Sequence, residues 1–67
     1  MASTFEYVDI VGVSSASFED AVKQAVLAAS VTRKIGWFEI VSTRGRVVEP
    51  SGEIEFQVTV RFGCKMP

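Results

Sequence analysis

The stretch that decides the fold is residues 36–45, Gly-Trp-Phe-Glu-Ile-Val-Ser-Thr-Arg-Gly, which holds the only tryptophan of the chain. Its β-branched and aromatic residues predict a strand that begins at Trp37, with Phe38 and Ile40 on one face and Trp37, Glu39, Val41 and Thr43 on the other. Residues 53–62 predict a second strand with strict alternation. Its apolar face holds Ile54, Phe56, Val58, Val60 and Phe62, and its polar face holds Glu55, Gln57, Thr59 and Arg61.

The segments around these two strands complete the architecture. Turn residues 46–52 join the strands into an antiparallel hairpin. Residues 4–13 predict a first strand, and residues 12–17 a loop in which Ser15 or Ser17 caps a helix over 17–34. One helix face holds Phe18, Val22, Ala25, Val26 and Ala29. Arg33 and Lys34 are predicted in the last helical turn, with Gly36 in a left-handed conformation just past it.

The order β-α-β-β predicts an α+β fold, with a three-stranded antiparallel sheet wrapped on one helix, as a single domain over residues 1–67. A chain this short buries only about 60% of the surface of its unfolded form. Yet 48% of its residues are hydrophobic. One cysteine excludes an internal disulfide, and the absence of histidine argues against a zinc site. Oligomerisation is therefore the expected source of additional buried surface.

Charge and local composition exclude several classes of function. Seven basic and eight acidic residues leave no basic stripe for duplex nucleic acid. No run is long enough for a transmembrane helix, and residues 1–6 do not resemble a signal peptide, so a cytoplasmic location is expected. Without histidine, the Ser-His-Asp and Cys-His arrangements are excluded. The common phosphate loops are also missing. We therefore predict no catalytic residues and no metal site.

The polar face of the last strand is left without cover by the single helix. Gln57 and Arg61, together with Trp37 or Val41, are predicted to line a binding site on this face. The acidic residues on or near the strands are interpreted as solvated or interface-paired groups; they are Glu39, Glu49, Glu53 and Glu55. Periodicity thus predicts an oligomerising sheet with one polar surface that carries the tryptophan.

The chain resembles the dodecin family over nearly its whole length, from Val8 to about Gly63. The resemblance is carried by Ile10-Val11-Gly12-Val13-Ser14, Gly36-Trp37-Phe38-Glu39-Ile40, Thr43-Arg44-Gly45 and Phe56-Gln57-Val58-Thr59-Val60. It implies a hollow homododecamer built of trimers, with the helices outside. It also implies flavins, FMN or riboflavin, bound in pairs between symmetry-related tryptophans at two-fold interfaces.

The resemblance assigns roles to individual residues. Trp37 is implied to stack on the flavin, and Gln57 to hydrogen-bond the isoalloxazine edge. Arg44 matches a basic residue near the flavin phosphate, and Lys65 stands where many members carry an arginine. Bacterial members are also similar in binding coenzyme A, for which residues 32–34, Thr-Arg-Lys, form the matching basic patch.

Two departures from the family pattern stand beside these matches. Leu27 lies where some members that bind coenzyme A have an arginine. Cys64 takes a position commonly held by phenylalanine, and it is interpreted as a bystander thiol. The resemblance implies a protein that stores flavin and quenches its photochemistry, and that is not an enzyme. The alternatives are a flavin-dependent reductase and a structural cage with an incidental ligand.

Overall fold

The computed structural model describes residues 3–66. The elements follow the order β1 (Phe5–Ser14), α1 (Phe18–Thr32), β2 (Ile35–Val48) and β3 (Glu53–Lys65). The sheet is antiparallel with strand order β1-β3-β2, so the last strand of the chain lies in the middle. The predicted β-α-β-β architecture, with one helix on a three-stranded antiparallel sheet, is confirmed.

Helix α1 begins where the sequence places a cap. The Ser17 side chain accepts a hydrogen bond from the backbone N–H of Asp20 at 3.0 Å, which satisfies one free donor of the first turn. Glu19 and Asp20 then lie in the first turn, where their negative charge complements the helix dipole. The helix presents an alanine stripe to the sheet, and these small side chains allow a close approach; they are Ala21, Ala25 and Ala29.

Glycine is required at position 12 by this close approach. A Cβ atom built on Gly12 would lie 2.0 Å from the backbone oxygen of Ala21. Gly12 belongs to β1 and is buried, so the loop predicted from residue 12 begins only after Ser14. The core lies between α1 and the inner face of the sheet; it consists of Ala21, Ala25, Ala29, Val58, Val60, Phe62 and Cys64.

The C-terminal end of the helix was predicted two residues too late. The helix ends at Thr32, Arg33 is its C-cap in an extended conformation, and the last turn holds no basic residue. Gly36 was predicted to be left-handed, but it lies in β2. Within residues 3–66, only Gly52, in the β2–β3 turn, has a positive φ, of 76°. The chain leaves the helix early because Ile35 already pairs with Cys64 of β3.

Two irregularities in β2 decide which side chains share a face. The register against β3 shifts between Ile35 and Trp37, and again between Ile40 and Ser42. Each extra residue reverses the alternation of the strand. As a result, Thr43 lies opposite Val58 on the helix side, and the prediction that it shares the face of Trp37 is wrong. Strand β2 also continues through Arg46 to Val48, beyond the predicted start of the turn.

Many large apolar side chains remain uncovered in the single chain. The helix lies over β1 and β3, so Phe38 and Ile40 on the helix side of β2 are 48% and 47% exposed. Phe38 lines a shallow groove with Val22, Val26 and Leu27 of the helix. The opposite face of the sheet has no helix. Exposed apolar side chains therefore remain on both faces of the sheet, because Tyr7, Val11 and Trp37 are exposed on the face without a helix.

Candidate functional site

The candidate site lies on the sheet face that α1 does not cover, which we call the open face. The central strand contributes Glu55, Gln57, Thr59, Arg61 and Gly63 to this face, alternating with the buried residues of the core. Pairing with β1 and β2 brings Tyr7 and Trp37 beside Gly63 at one end. At the other end, Arg44 lies opposite Gln57.

Trp37 lies across Gly63 and is framed by two other aromatic rings. A Cβ atom on Gly63 would fall 2.3 Å from Cε2 of the indole, so only glycine leaves room for the ring in this position. The ring centroid of Phe5 is 5.1 Å away and tilted, and that of Tyr7 is 6.1 Å away and edge-on. These distances are typical of favourable aromatic pairs. Trp37 is still 42% exposed, which leaves indole surface for a stacked ligand.

A charged pair supports this aromatic cluster. Arg61 donates two hydrogen bonds to the Asp9 carboxylate, at 2.8 and 3.1 Å, and its guanidinium lies 5.5 Å from the Tyr7 ring centroid. The hydrogen bonds from Arg61 lower the pKa of Asp9 below its ordinary value of 3.8, and the same pairing raises the pKa of Arg61. The open face therefore carries an ion pair next to the tryptophan.

Gln57 lies in a polar cluster at the other end of the open face. Its side-chain nitrogen donates a hydrogen bond of 2.8 Å to Oε1 of Glu55. The same Glu55 oxygen lies 3.8 Å from Nη1 of Arg46, which is the partner of Glu55 in the register of β2 and β3. Arg44, the partner of Gln57, is exposed and forms no ion pair within residues 3–66.

The second irregularity of β2 is what brings Arg44 to the open face. By strict alternation from Trp37, residue 44 would point to the helix side. The extra residue between Ile40 and Ser42 reverses this, so Arg44 and Gln57 face the same way. Lys65, the other predicted phosphate contact, lies at the end of β3 near Trp37, opposite Phe5.

The two ends of the open face are far apart in one chain. Gln57 and Gly63 are six positions apart on β3, which corresponds to about 20 Å at ~3.4 Å per residue. We call Trp37, Gly63, Phe5, Tyr7 and Lys65 the Trp37 half, and Gln57, Glu55, Arg44 and Arg46 the Gln57 half. An isoalloxazine ring is shorter than this separation, so one chain cannot hold both halves against the same ring.

Sequence reasoning missed several residues of the site. Phe5, Tyr7 and Asp9 belong to β1, whose apolar residues stand at both parities; this pattern indicated a partner surface but did not assign these three residues to the site. Arg46 was assigned to the turn, and Gly63 had no role. Arg61 was predicted to line the site together with Gln57, and it does lie on the same open face, where it pairs with Asp9 and lies over the Tyr7 ring.

Other predicted positions fall outside this face or remain untested. Thr32 ends the helix, and Arg33 and Lys34 are exposed in the segment that follows, so their part in coenzyme A binding stays a prediction. Cys64 is buried in the core. Within residues 3–66, no helix is long and apolar enough to cross a membrane. In the same range, no group of three or more acidic or cysteine side chains is placed to hold a metal ion.

Comparison with known proteins places this geometry in context. The family model described as Dodecin matches residues 4–67. A dodecin from Thermus thermophilus is 33% identical over 67 residues, which cover 98% of this chain and 96% of the relative. The solved dodecin of Streptomyces davaonensis is 32% identical, with a TM-score of 0.89 and coverage of 100% and 98% of the two chains.

A second solved structure comes from Mycobacterium tuberculosis and is described as a calcium dodecin with a novel calcium-binding site. It is 26% identical, covers 97% of this chain and 93% of its own, and has a TM-score of 0.88. The family model matches residues 4–67, and the sequence relative and the two structures each cover 97% or more of this chain. This chain belongs to the dodecin family.

Proposed function

We propose that this protein stores and buffers FMN or riboflavin in stacked pairs, held between tryptophans of different copies of the chain, and that it is not an enzyme. Dodecins as a family bind flavins. The observation that carries the proposal is the divided open face. An exposed tryptophan lies at one end, and at the other end Arg44 lies beside Gln57, whose amide is held by Glu55. Each half offers one kind of contact that a flavin needs.

The separation of the halves supports an assembled site. Because about 20 Å of β3 lies between Gln57 and Gly63, a ring that touches both residue types must contact two copies. A two-fold axis repeats every contact, so joining the Trp37 half of one copy to the Gln57 half of its partner produces two identical sites. The exposed groove on the helix side supplies a second, different surface for self-association, as a closed dodecamer requires.

Aromatic stacking suits storage rather than turnover. One aromatic contact contributes about 0.5–1.5 kcal/mol beyond its buried area. Two flavins between two indoles multiply such contacts and exclude water. A stacked indole is also an electron donor to the excited flavin, so fluorescence and photochemistry are expected to be quenched. A reductase would need an open place for substrate beside the flavin, which a sandwich does not leave.

The basic residues Arg44 and Lys65 would contact the phosphate group that distinguishes FMN from riboflavin. The ring contacts of Trp37 and Gln57 are the same for riboflavin and FMN, so any preference must come from groups near the phosphate. Arg44 is free to make a charge-assisted bidentate contact, and Lys65 is a flexible second cation. The net charge of −1 opposes a phosphate only weakly, because the Debye length is about 8 Å at physiological salt.

The test begins with the purified protein. Native mass spectrometry is expected to give twelve chains, and titration with FMN is expected to quench flavin fluorescence in the assembled protein. A stable monomer at micromolar concentration would refute the proposal, since the site needs two copies. An assembled cage that leaves FMN fluorescence unchanged would favour a structural cage. Turnover of NADH by the loaded protein would favour a reductase.

A further inference from the structure

The hydrogen bond between Glu55 and Gln57 fixes which way the Gln57 amide points. A carboxylate oxygen can only accept a hydrogen bond, so the group 2.8 Å from Oε1 of Glu55 must be the amide nitrogen of Gln57. The nitrogen and oxygen of a glutamine are otherwise hard to tell apart, but here the partner decides the assignment. The carbonyl oxygen of Gln57 therefore turns away from Glu55.

Glu55 is itself held in place. Its side chain is 28% exposed, and the Arg46 guanidinium on the neighbouring strand lies 3.8 Å from the same oxygen that accepts from Gln57. Partial burial strengthens the hydrogen bond relative to one in open water. Turning the Gln57 amide over would bring its carbonyl oxygen against the carboxylate, with two acceptors facing each other, so the reversed orientation is disfavoured.

The hydrogen-bonding atoms of Gln57 that Glu55 does not use determine which donors and acceptors a ligand must present. The Gln57 carbonyl oxygen accepts no hydrogen bond within residues 3–66, and it is not a buried unsatisfied atom, so it keeps contact with solvent and is available as an acceptor. One N–H of the amide is also left after the bond to Glu55. This arrangement is complementary to a cyclic imide, which offers an N–H donor flanked by carbonyl acceptors, as on the pyrimidine ring of isoalloxazine.

We infer that Glu55, braced by Arg46, is a positioning residue that makes Gln57 select ligands with an imide N–H. The inference rests on the proposed flavin site. It adds which atoms of the Gln57 amide face the flavin ring, and it names Glu55 as the residue that sets this orientation. Glu55 does not touch the ligand in this arrangement. It acts by removing one of the two amide orientations.

The test compares riboflavin with N3-methylriboflavin, which lacks the imide N–H. Dissociation constants for both ligands are measured by fluorescence quenching with the wild-type protein, Glu55→Gln and the matched control Glu53→Gln. Glu53 lies two positions away on the same strand and face and is exposed. The neutral glutamine at position 55 can donate as well as accept, so it no longer imposes one orientation on Gln57.

We expect the wild-type protein to bind riboflavin at least tenfold more tightly than the N3-methyl analogue. In Glu55→Gln this ratio is expected to fall to about threefold or less, while Glu53→Gln keeps the wild-type ratio. A loss of affinity that is equal for both ligands, with the ratio intact, would overturn the inference, because a general structural role moves both constants together. Native mass spectrometry of each variant establishes that the assembly is unchanged.

Arg46→Met provides a second route if Glu55→Gln does not assemble. It releases Glu55 from its other partner, so the ratio is expected to fall part of the way, and an unchanged ratio would again contradict the inference. Failure of the wild-type protein to bind riboflavin at micromolar concentration is a different result, since it would refute the proposed function itself.

Discussion

The tightest contact of the candidate site predicts that Gly63→Ala will displace Trp37. An alanine Cβ would lie 2.3 Å from Cε2 and 2.4 Å from Cζ2 of the indole, whereas ordinary contact begins at 3.4 Å. Restoring ordinary contact between the new methyl group and the indole would therefore require a displacement of about 1.1 Å. Phe5 and Tyr7 pack around the ring, so the indole cannot move without disturbing them as well.

The size of the effect follows from how steeply packing falls with distance. A gap of about 0.5–1 Å forfeits a quarter to a half of a dispersion contact. A stacked ring displaced by this much is expected to lose about 1.4 kcal/mol of binding, or about tenfold in the flavin Kd. Overpacking costs about 1–3 kcal/mol of folding stability. Gly→Ala in a strand recovers about 0.4–1 kcal/mol from the unfolded state, so the net loss of folding stability should lie between about 0 and 2.6 kcal/mol.

The assay is a fluorescence titration with FMN, accompanied by the emission spectrum of Trp37 in the ligand-free protein. Gly45→Ala is the matched control, because its Cβ would meet nothing closer than a backbone oxygen at 4.0 Å. We expect the control to bind within twofold of wild type. An assembled Gly63→Ala protein with wild-type affinity and quenching would refute the placement of Trp37 over Gly63 as the basis of the stack. A tenfold loss in the control would show that any added methyl group weakens binding.

Four further predictions follow from the geometry. Trp37→Ala should leave the cage assembled but weaken FMN binding at least tenfold, or about 1.4 kcal/mol, in the same titration. Arg44→Ala should weaken FMN while leaving riboflavin nearly unchanged; equal losses for the two ligands would mean that Arg44 does not contact the phosphate. Gly12→Ala should lower the midpoint of urea unfolding strongly, because its Cβ would collide with the backbone of α1; an unchanged midpoint would contradict the close packing. The hydrogen bonds from Arg61 lower the pKa of Asp9 below its ordinary value of 3.8. They stabilise the fold fully at pH values above 3.8, and this stabilisation is lost as the pH falls through the lowered pKa. The Trp37 emission should therefore change below pH 3.8 in wild type and show a smaller change in Asp9→Asn.

The sequence predicted residues 53–62 of strand β3 and the face of each side chain correctly, although the strand continues to Lys65. Its apolar and polar side chains alternate without a break, and a one-residue slip would expose Val58, Val60 and Phe62, so the register admits one solution. The helix cap could be narrowed to Ser15 or Ser17 for a similar reason, since the hydroxyl satisfies a donor of the same segment, and the structure shows that Ser17 is the cap. Both signals are local, and tertiary contacts do not override them.

Features that depend on pairing between distant segments could not be predicted. Nothing in residues 36–45 marks the two irregularities of β2, so Thr43 was assigned to the wrong face and the position of Arg44 beside Gln57 had no periodic basis. The basic residues Arg33 and Lys34 suggested a longer helix, but pairing of Ile35 with β3 pulls the chain into an extended form. Gly63 is important because the indole of Trp37, which lies 26 residues earlier in the chain, packs across it.

The length of β3 between Gln57 and Gly63 has a thermodynamic consequence. When a site is completed only by two copies of a chain, ligand binding and subunit association are linked, and each strengthens the other by the same factor. FMN should then raise the temperature at which the assembly dissociates, and it should do so in proportion to the logarithm of ligand excess. Conversely, dilution of the protein below the dissociation constant of its assembly should release flavin without any competing ligand. The buffering capacity of such a protein is therefore governed by its own concentration as well as by that of the flavin.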